Sequence, residues 1–203
     1  MNSIANSKTS ISTVSEHTVE IITDSGEGAQ KCAHVFGQTC AKMGNGVWTV
    51  EIIPAEIEPP AHTTTSTSGN IVRFGTEKIT NWGDQSKLAV AFNDQVCLSR
   101  HRLDSFDDNC IILHECSWET HEDENVREQY AKAMEEMSSK NYRLIKVPIE
   151  EETLKVVDNA QHGKNMFALG LLAEIYQRDL SIIEKQIAHI FRHKPAKITE
   201  INV

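Results

Sequence analysis

Thr18-Val19-Glu20-Ile21-Ile22-Thr23 runs straight into Asp24-Ser25-Gly26-Glu27-Gly28-Ala29, and the junction of these two segments decides how the rest of the chain is read. The first is a β-branched run suited to a buried strand; the second is a turn cluster. Ala29, Cys32, Ala33, Phe36, Cys40 and Met43 then recur at helical spacing until Gly44 and Gly46 stop the pattern. A strand, a glycine loop and a helix therefore follow one another. At such a junction exposed backbone N–H groups and the helix dipole favour an anion such as a pyrophosphate. The spelling departs from a dinucleotide fingerprint in one place, with Lys31 where a further glycine belongs. Lys31 is thus a candidate phosphate contact, whereas Glu27 opposes an anion. A tight turn without ligand is the alternative reading of the same residues. Glu51 and Glu56 are the candidates for an acid near a ribose.

Outward from this junction, a second buried strand is expected at Val47 to Ile53, ending at Pro54. Pro59, Pro60 and a Thr/Ser tract from Thr63 to Ser68 follow, where no regular structure is expected. Further strands are expected at Ile71 to Phe74, Leu88 to Phe92, Ile111 to His114 and Arg143 to Val147, with a polar amphipathic helix at Asn125 to Ser139. This alternation predicts an α/β fold, a mostly parallel sheet with flanking helices. At the C-terminal end, Asn165 to Gln177 and Leu180 to His193 read as a helical pair. Their apolar stripes are Phe167, Leu171, Ile175 and Ile183, Ile187, Ile190, expected to pack as a hairpin on the sheet or a partner. Residues 1–16 are polar and read as a flexible N-terminal tail, leaving 17–203 as one domain.

With 203 residues, 39% hydrophobic content and 24% charge, the chain has the composition of a soluble globular protein. A formal net charge of −9 argues against nucleic acid as a ligand, which requires clustered Lys and Arg. No apolar run reaches the roughly 20 residues of a spanning helix, and the N-terminus lacks a basic-then-apolar leader, so a cytoplasmic protein without membrane contact is expected. Cys32, Cys40, Cys97, Cys110 and Cys116 show no C-x-x-C spacing and read as reduced, mostly buried residues rather than cluster ligands. Cys110, His114 and Cys116 lie close in sequence, yet strand alternation sends neighbours to opposite faces, so no metal site is expected. Hydrolytic, zinc-protease and P-loop motifs are absent. His162 and Lys164, just before the helical pair, are the next candidates for functional polar residues. A loop and helix start is their plainer reading.

Several short motifs occur in a particular order. They are Asp24-Ser25-Gly26-Glu27-Gly28-Ala29-Gln30, Pro54-Ala55-Glu56-Ile57, Ser68-Gly69 with Val72 and Phe74-Gly75, Gly83-Asp84, Leu88-Ala89-Val90-Ala91-Phe92-Asn93, and Lys164-Asn165-Met166-Phe167-Ala168-Leu169-Gly170. In order and spacing they resemble the gamma subunit or domain of the 2-oxoacid:ferredoxin oxidoreductases of the pyruvate or 2-oxoglutarate type. The resemblance spans Val19 to Val203 and implies a Rossmann-like gamma domain. It also implies a role in coenzyme A-dependent oxidative decarboxylation of a 2-oxoacid, or the reverse reductive carboxylation, within an oxidoreductase complex. The partners implied are alpha and beta subunits, a ferredoxin-like delta subunit, and ferredoxin itself through the complex. Thiamine diphosphate, Mg and iron–sulfur clusters are expected in those partner subunits, and none of these cofactors in this chain. Ser25, Gly26, Gly28, Ala29, Gln30 and Lys31 would lie near the coenzyme A phosphates, and no residue is expected to be catalytic.

Two departures from the family pattern stand out: Glu58 where relatives carry Arg, and a Thr/Ser tract poorer in glycine. Some relatives continue into an alpha domain where this chain stops, so a separately encoded gamma subunit or a fragment is expected. Two other readings compete: a free-standing nucleotide or coenzyme A binding module, and a structural scaffold whose glycine loop is only a turn.

Overall fold

The computed structural model of the chain describes residues 11–195, 200 and 202. Glu16–Asp24 forms β1, with Val19, Ile21 and Ile22 fully buried, as expected of an inner strand covered on both faces. The chain turns through Ser25 to Gly28 into α1 (Ala29–Lys42), which buries Cys32, Ala33, Val35, Phe36 and Cys40. The remaining strands are β2 (Gly46–Ile52), β3 (Thr67–Gly75), β4 (Ser86–Ala91), β5 (Phe106–Glu115) and β6 (Arg143–Val147). They complete one six-stranded sheet in the order β2-β3-β1-β4-β5-β6. Neighbours β1, β4, β5 and β6 are parallel, while β3 runs antiparallel to both β1 and β2. The sheet is mostly parallel, as the alternation predicts, with a single reversed strand.

That strand alters two expectations. The Thr/Ser tract is not structureless: it holds a short 3-10 turn at Thr64–Ser66, and β3 begins inside it at Thr67. Because β3 separates β2 from β1, Glu51 sits on an edge strand opposite Asn70, one strand removed from the glycine loop.

The helices are α2 (Asp94–Arg102), α3 (Glu124–Ser138), α4 (Ile149–Leu154), α5 (Lys164–Ile175) and α6 (Leu180–Ile190). α1, α5 and α6 cover one face of the sheet, around Val19, Ile21, Val72, Leu88 and Val90. α2 and α3 cover the other, around Ile22, Ala89, Ala91 and Ile112. α2 has no counterpart in the sequence reading. Its buried Val96, Cys97 and Leu98 are consecutive rather than helically spaced, and what starts it is Asn93, whose side chain accepts from the Val96 amide at 2.9 Å.

The C-terminal pair is present, with one stripe different. α6 buries Ile183 and Ile187 as expected. α5 buries Ala168, Leu169, Leu172 and Ala173 instead of the 167/171/175 stripe, and Ile175 is 42% exposed. An almost wholly apolar helix gives periodicity little to select from. Both helices pack on α1, so the pair joins the core through α1. Residues 1–10 of the expected tail lie outside the described residues; Ile11 to Val14 are exposed, and β1 starts at Glu16.

Four of the five cysteines are buried and all are free. Burial pushes their thiols well above the ordinary range, Cys40 to about 11. They behave as small apolar residues.

Candidate functional site

β1 and β4 are parallel neighbours, yet the helix after β1 lies on one face and the helix after β4 on the other. The chain therefore leaves the two strands in opposite directions, opening a crevice at their carboxyl ends where ligands of α/β sheets characteristically bind. The glycine loop forms one wall of it. Gly26 and Gly28 have φ of +92° and +87°, left-handed values that L side chains rarely adopt. A Cβ on Gly26 would meet nothing within 4 Å, so the space beside this residue is open. A Cβ on Gly28 would stand 2.6 Å from Asn165 Nδ2, so this side is already filled.

All the residues named as a phosphate site are contiguous here, and the structure separates their roles. Ser25, Gly26 and Gln30 are exposed, while Ala29 is buried under the first turn of α1. The Ser25 amide donates to the Ser66 carbonyl at 3.0 Å, and among the described residues no backbone carbonyl accepts from the amides of Ala29 or Gln30. These first-turn donors face the positive end of α1 and suit an anion. Lys31 is engaged elsewhere: its ammonium lies 5.8 Å from the Phe191 ring centroid, at the end of α6.

Glu27, which by charge opposes an anion, is neutralised from a distant part of the chain. The Lys164 ammonium lies 2.8 Å from its Oε1, while its Oε2 accepts from the Asp24 amide at 3.0 Å. Lys164 is nearly fully buried, with Glu150 at 3.5 Å. Burial alone would lower its pKa; Glu27, Glu150 and Glu115 together outweigh that and raise it, holding the ammonium charged. Of the two secondary candidates, Lys164 belongs to the crevice, whereas His162 is exposed on a separate 3-10 turn.

The far wall is a cluster that sequence reading missed. Asp24 closes β1 and accepts from the His62 amide at 2.8 Å and from the Ser66 hydroxyl. His62, itself at φ +54°, places Nε2 2.7 Å from the fully buried Asp94 at the start of α2. Its ring stacks on Trp118 at 4.3 Å and 16°, and Trp118 Nε1 donates to the Phe92 carbonyl at 3.0 Å. His62 thus straps the loop after β2 across the ends of β1, β4 and β5. An Asx N-cap and an aromatic neighbour could have marked Asp94 and Trp118; nothing local marks His62. Beyond it, Pro54-Ala55-Glu56-Ile57 projects outward, with Ile57 97% exposed and Glu58 exposed at φ +52°.

Among the described residues, no three His, Cys, Asp or Glu side chains could share a metal ion, and no helix is long and apolar enough to cross a membrane.

Comparison with known proteins agrees with this architecture. Residues 19–203 match the family described as pyruvate ferredoxin/flavodoxin oxidoreductase. The chain is 30% identical over 193 residues to the 2-oxoglutarate oxidoreductase subunit KorA of Mycobacterium tuberculosis, covering 89% of this chain and 28% of that protein. It therefore spans less than a third of that relative's length. Its fold is similar to the 2-oxoglutarate:ferredoxin oxidoreductase of Magnetococcus marinus, solved with 2-oxoglutarate, coenzyme A and succinyl-CoA bound. That match has a TM-score of 0.70 at 20% identity and covers 94% of this chain and 29% of the other. Pyruvate oxidoreductase subunit PORC of Thermotoga maritima gives a TM-score of 0.63 at 16% identity, covering 93% of this chain and 92% of the other. The keto/oxoacid ferredoxin oxidoreductase gamma subunit of Geobacter sulfurreducens gives 0.61 at 12% identity, covering 93% and 91%.

Proposed function

Because the chain belongs to the pyruvate ferredoxin/flavodoxin oxidoreductase family, we propose that it is the gamma-type subunit of a 2-oxoacid:ferredoxin oxidoreductase. In this reading residues 17–203 form one working domain of a cytoplasmic complex. The complex converts a 2-oxoacid and coenzyme A to an acyl-CoA and carbon dioxide, releasing a proton and passing the electron pair to ferredoxin, or runs the reverse. Alpha, beta and ferredoxin-like subunits hold thiamine diphosphate, Mg and the iron–sulfur clusters.

The open space beside Gly26 carries the proposal, next to the amides of Ala29 and Gln30, which donate to no backbone carbonyl among the described residues. Coenzyme A supplies the thiol that accepts the acyl group. This chain's part is to hold a phosphate of that cofactor at Ser25, Gly26 and the first-turn amides, with Gly28 and Ala29 shaping the turn. Glu27 is kept from repelling the phosphate by its contact with Lys164. Lys31, in the same first turn, contributes long-range attraction or a direct contact after leaving Phe191.

Reconstitution tests the proposal. Ferredoxin reduction dependent on 2-oxoacid and coenzyme A is expected with the partner subunits plus this chain, and from neither alone. Full turnover without the chain would refute it. The scaffold reading draws on Asn165 filling the space at Gly28. It predicts that Lys31→Ala leaves the Michaelis constant for coenzyme A unchanged in the assembled enzyme, whereas a phosphate contact predicts a rise.

A further inference from the structure

On the α2 side of the sheet, from Thr18 and Ser86 near the starts of β1 and β4 to Ile52 at the end of β2, lies a cavity of about 360 Å³. This is within the lower range of small-molecule sites. Val50, Ile52, Ile71 and the half-exposed Trp82 make an apolar wall. Facing them is Arg100, from the last turn of α2.

Arg100 is held in an unusual way. Its Nε donates to Glu20, which is fully buried and also accepts from the Ser86 hydroxyl at 2.9 Å. The guanidinium is thereby fixed in orientation, with its side chain only 14% exposed. Neither terminal nitrogen makes a hydrogen bond among the described residues. Both terminal nitrogens are left open to the cavity, and the free end of a guanidinium presents a two-pronged donor matched to a carboxylate. Glu51 and Asp84 also line the cavity, but both are exposed, so water screens them.

We propose that this cavity binds a small carboxylic acid with an apolar or aromatic body, its carboxylate on the free fork of Arg100 and its body against Val50, Ile52, Ile71 and Trp82. The apolar wall selects against a bare phosphate. None of its lining residues belongs to the glycine loop, so it stands or falls independently of coenzyme A binding.

The test is titration of the ¹⁵N-labelled full chain with benzoate, following the Trp82 indole N–H signal identified through Trp82→Phe. A saturable shift with a millimolar or tighter constant is expected, with benzyl alcohol binding at least about tenfold more weakly. The double variant Glu20→Gln/Arg100→Gln, which removes both buried charges together, should lose about tenfold or more in benzoate affinity, and Asp84→Asn should gain. Equal response to benzoate and benzyl alcohol, no saturation, or unchanged binding in the folded double variant would overturn the site. If the double variant does not fold, Arg100→Lys decides. It keeps the charge and loses the fork, so retained affinity refutes the proposal and lost affinity supports it.

Discussion

The Lys164 ammonium stands 2.8 Å from the Glu27 carboxylate, so the first turn of α5 is tied by charge to the loop that leads into α1. Lys164 is buried and Glu27 half-buried, which makes the pair sensitive to the loss of one partner. Lys164→Met is expected to cost about 3 kcal/mol because it leaves a carboxylate without its counter-charge. Glu27→Gln in the same chain should recover most of that. Urea unfolding of the single and double variants measures both, and a single-variant loss below about 1 kcal/mol would show that the pair is screened by water.

Gly26 and Gly28 share a backbone conformation and differ in surroundings, so alanine at each should act differently. Gly26→Ala adds a Cβ into open space and is expected to cost about 1 kcal/mol from the left-handed φ alone. Gly28→Ala adds a clash with Asn165 to the same strain, and about 2 to 3 kcal/mol is expected. Asn165→Ala combined with Gly28→Ala should return only the clash portion. Thermal unfolding of the three variants resolves the order; equal losses at the two glycines would contradict it.

Two histidines should make the fold sensitive to mild acid. Burial lowers the pKa of His114, and burial followed by repulsion from Lys87 lowers that of His17. The folded chain keeps both rings neutral, while the unfolded chain protonates them near the ordinary value of about 6.5. Stability is therefore highest above that value and falls as pH drops from it toward the folded-state values, with a slope of up to about 1.4 kcal/mol per pH unit per histidine. His114→Gln should make unfolding free energy less steep between pH 7 and 5. A slope that is unchanged in the variant would mean that His114 is protonated in the fold.

Much of this architecture is legible in the sequence, and the losses have physical reasons. β1, the glycine loop and α1 were readable because a β-branched run, two glycines and a helical period follow one another without interruption. α2 was not, since its buried residues are adjacent and its start depends on one asparagine. The reversal of β3 leaves no local mark, because a buried strand has the same composition in either direction. The loop residues of the candidate site could be named from the chain alone. Their environment could not: Lys164, Asn165 and His62 reach the crevice only through tertiary packing.

His62 gives a further prediction. Its ring is held by Asp94 on one edge and by Trp118 on one face, and its amide by Asp24. Trp118→Ala removes the stack and the bond to the Phe92 carbonyl, at a cost of about 2 kcal/mol for a half-buried aromatic. It should also raise amide exchange across residues 58–66 by at least about tenfold, with the β1 core unaffected. Uniform exchange changes through the whole sheet would instead mean that Trp118 supports the fold globally.

The central claim is that the space beside Gly26 receives a phosphate of coenzyme A inside an assembled oxidoreductase. Steady-state kinetics of the reconstituted complex carrying Gly26→Ala tests it most directly. A rise of about tenfold in the Michaelis constant for coenzyme A is predicted, with kcat and the Michaelis constant for the 2-oxoacid within about twofold of the unaltered enzyme. An unchanged constant for coenzyme A in a complex that assembles normally would contradict the claim.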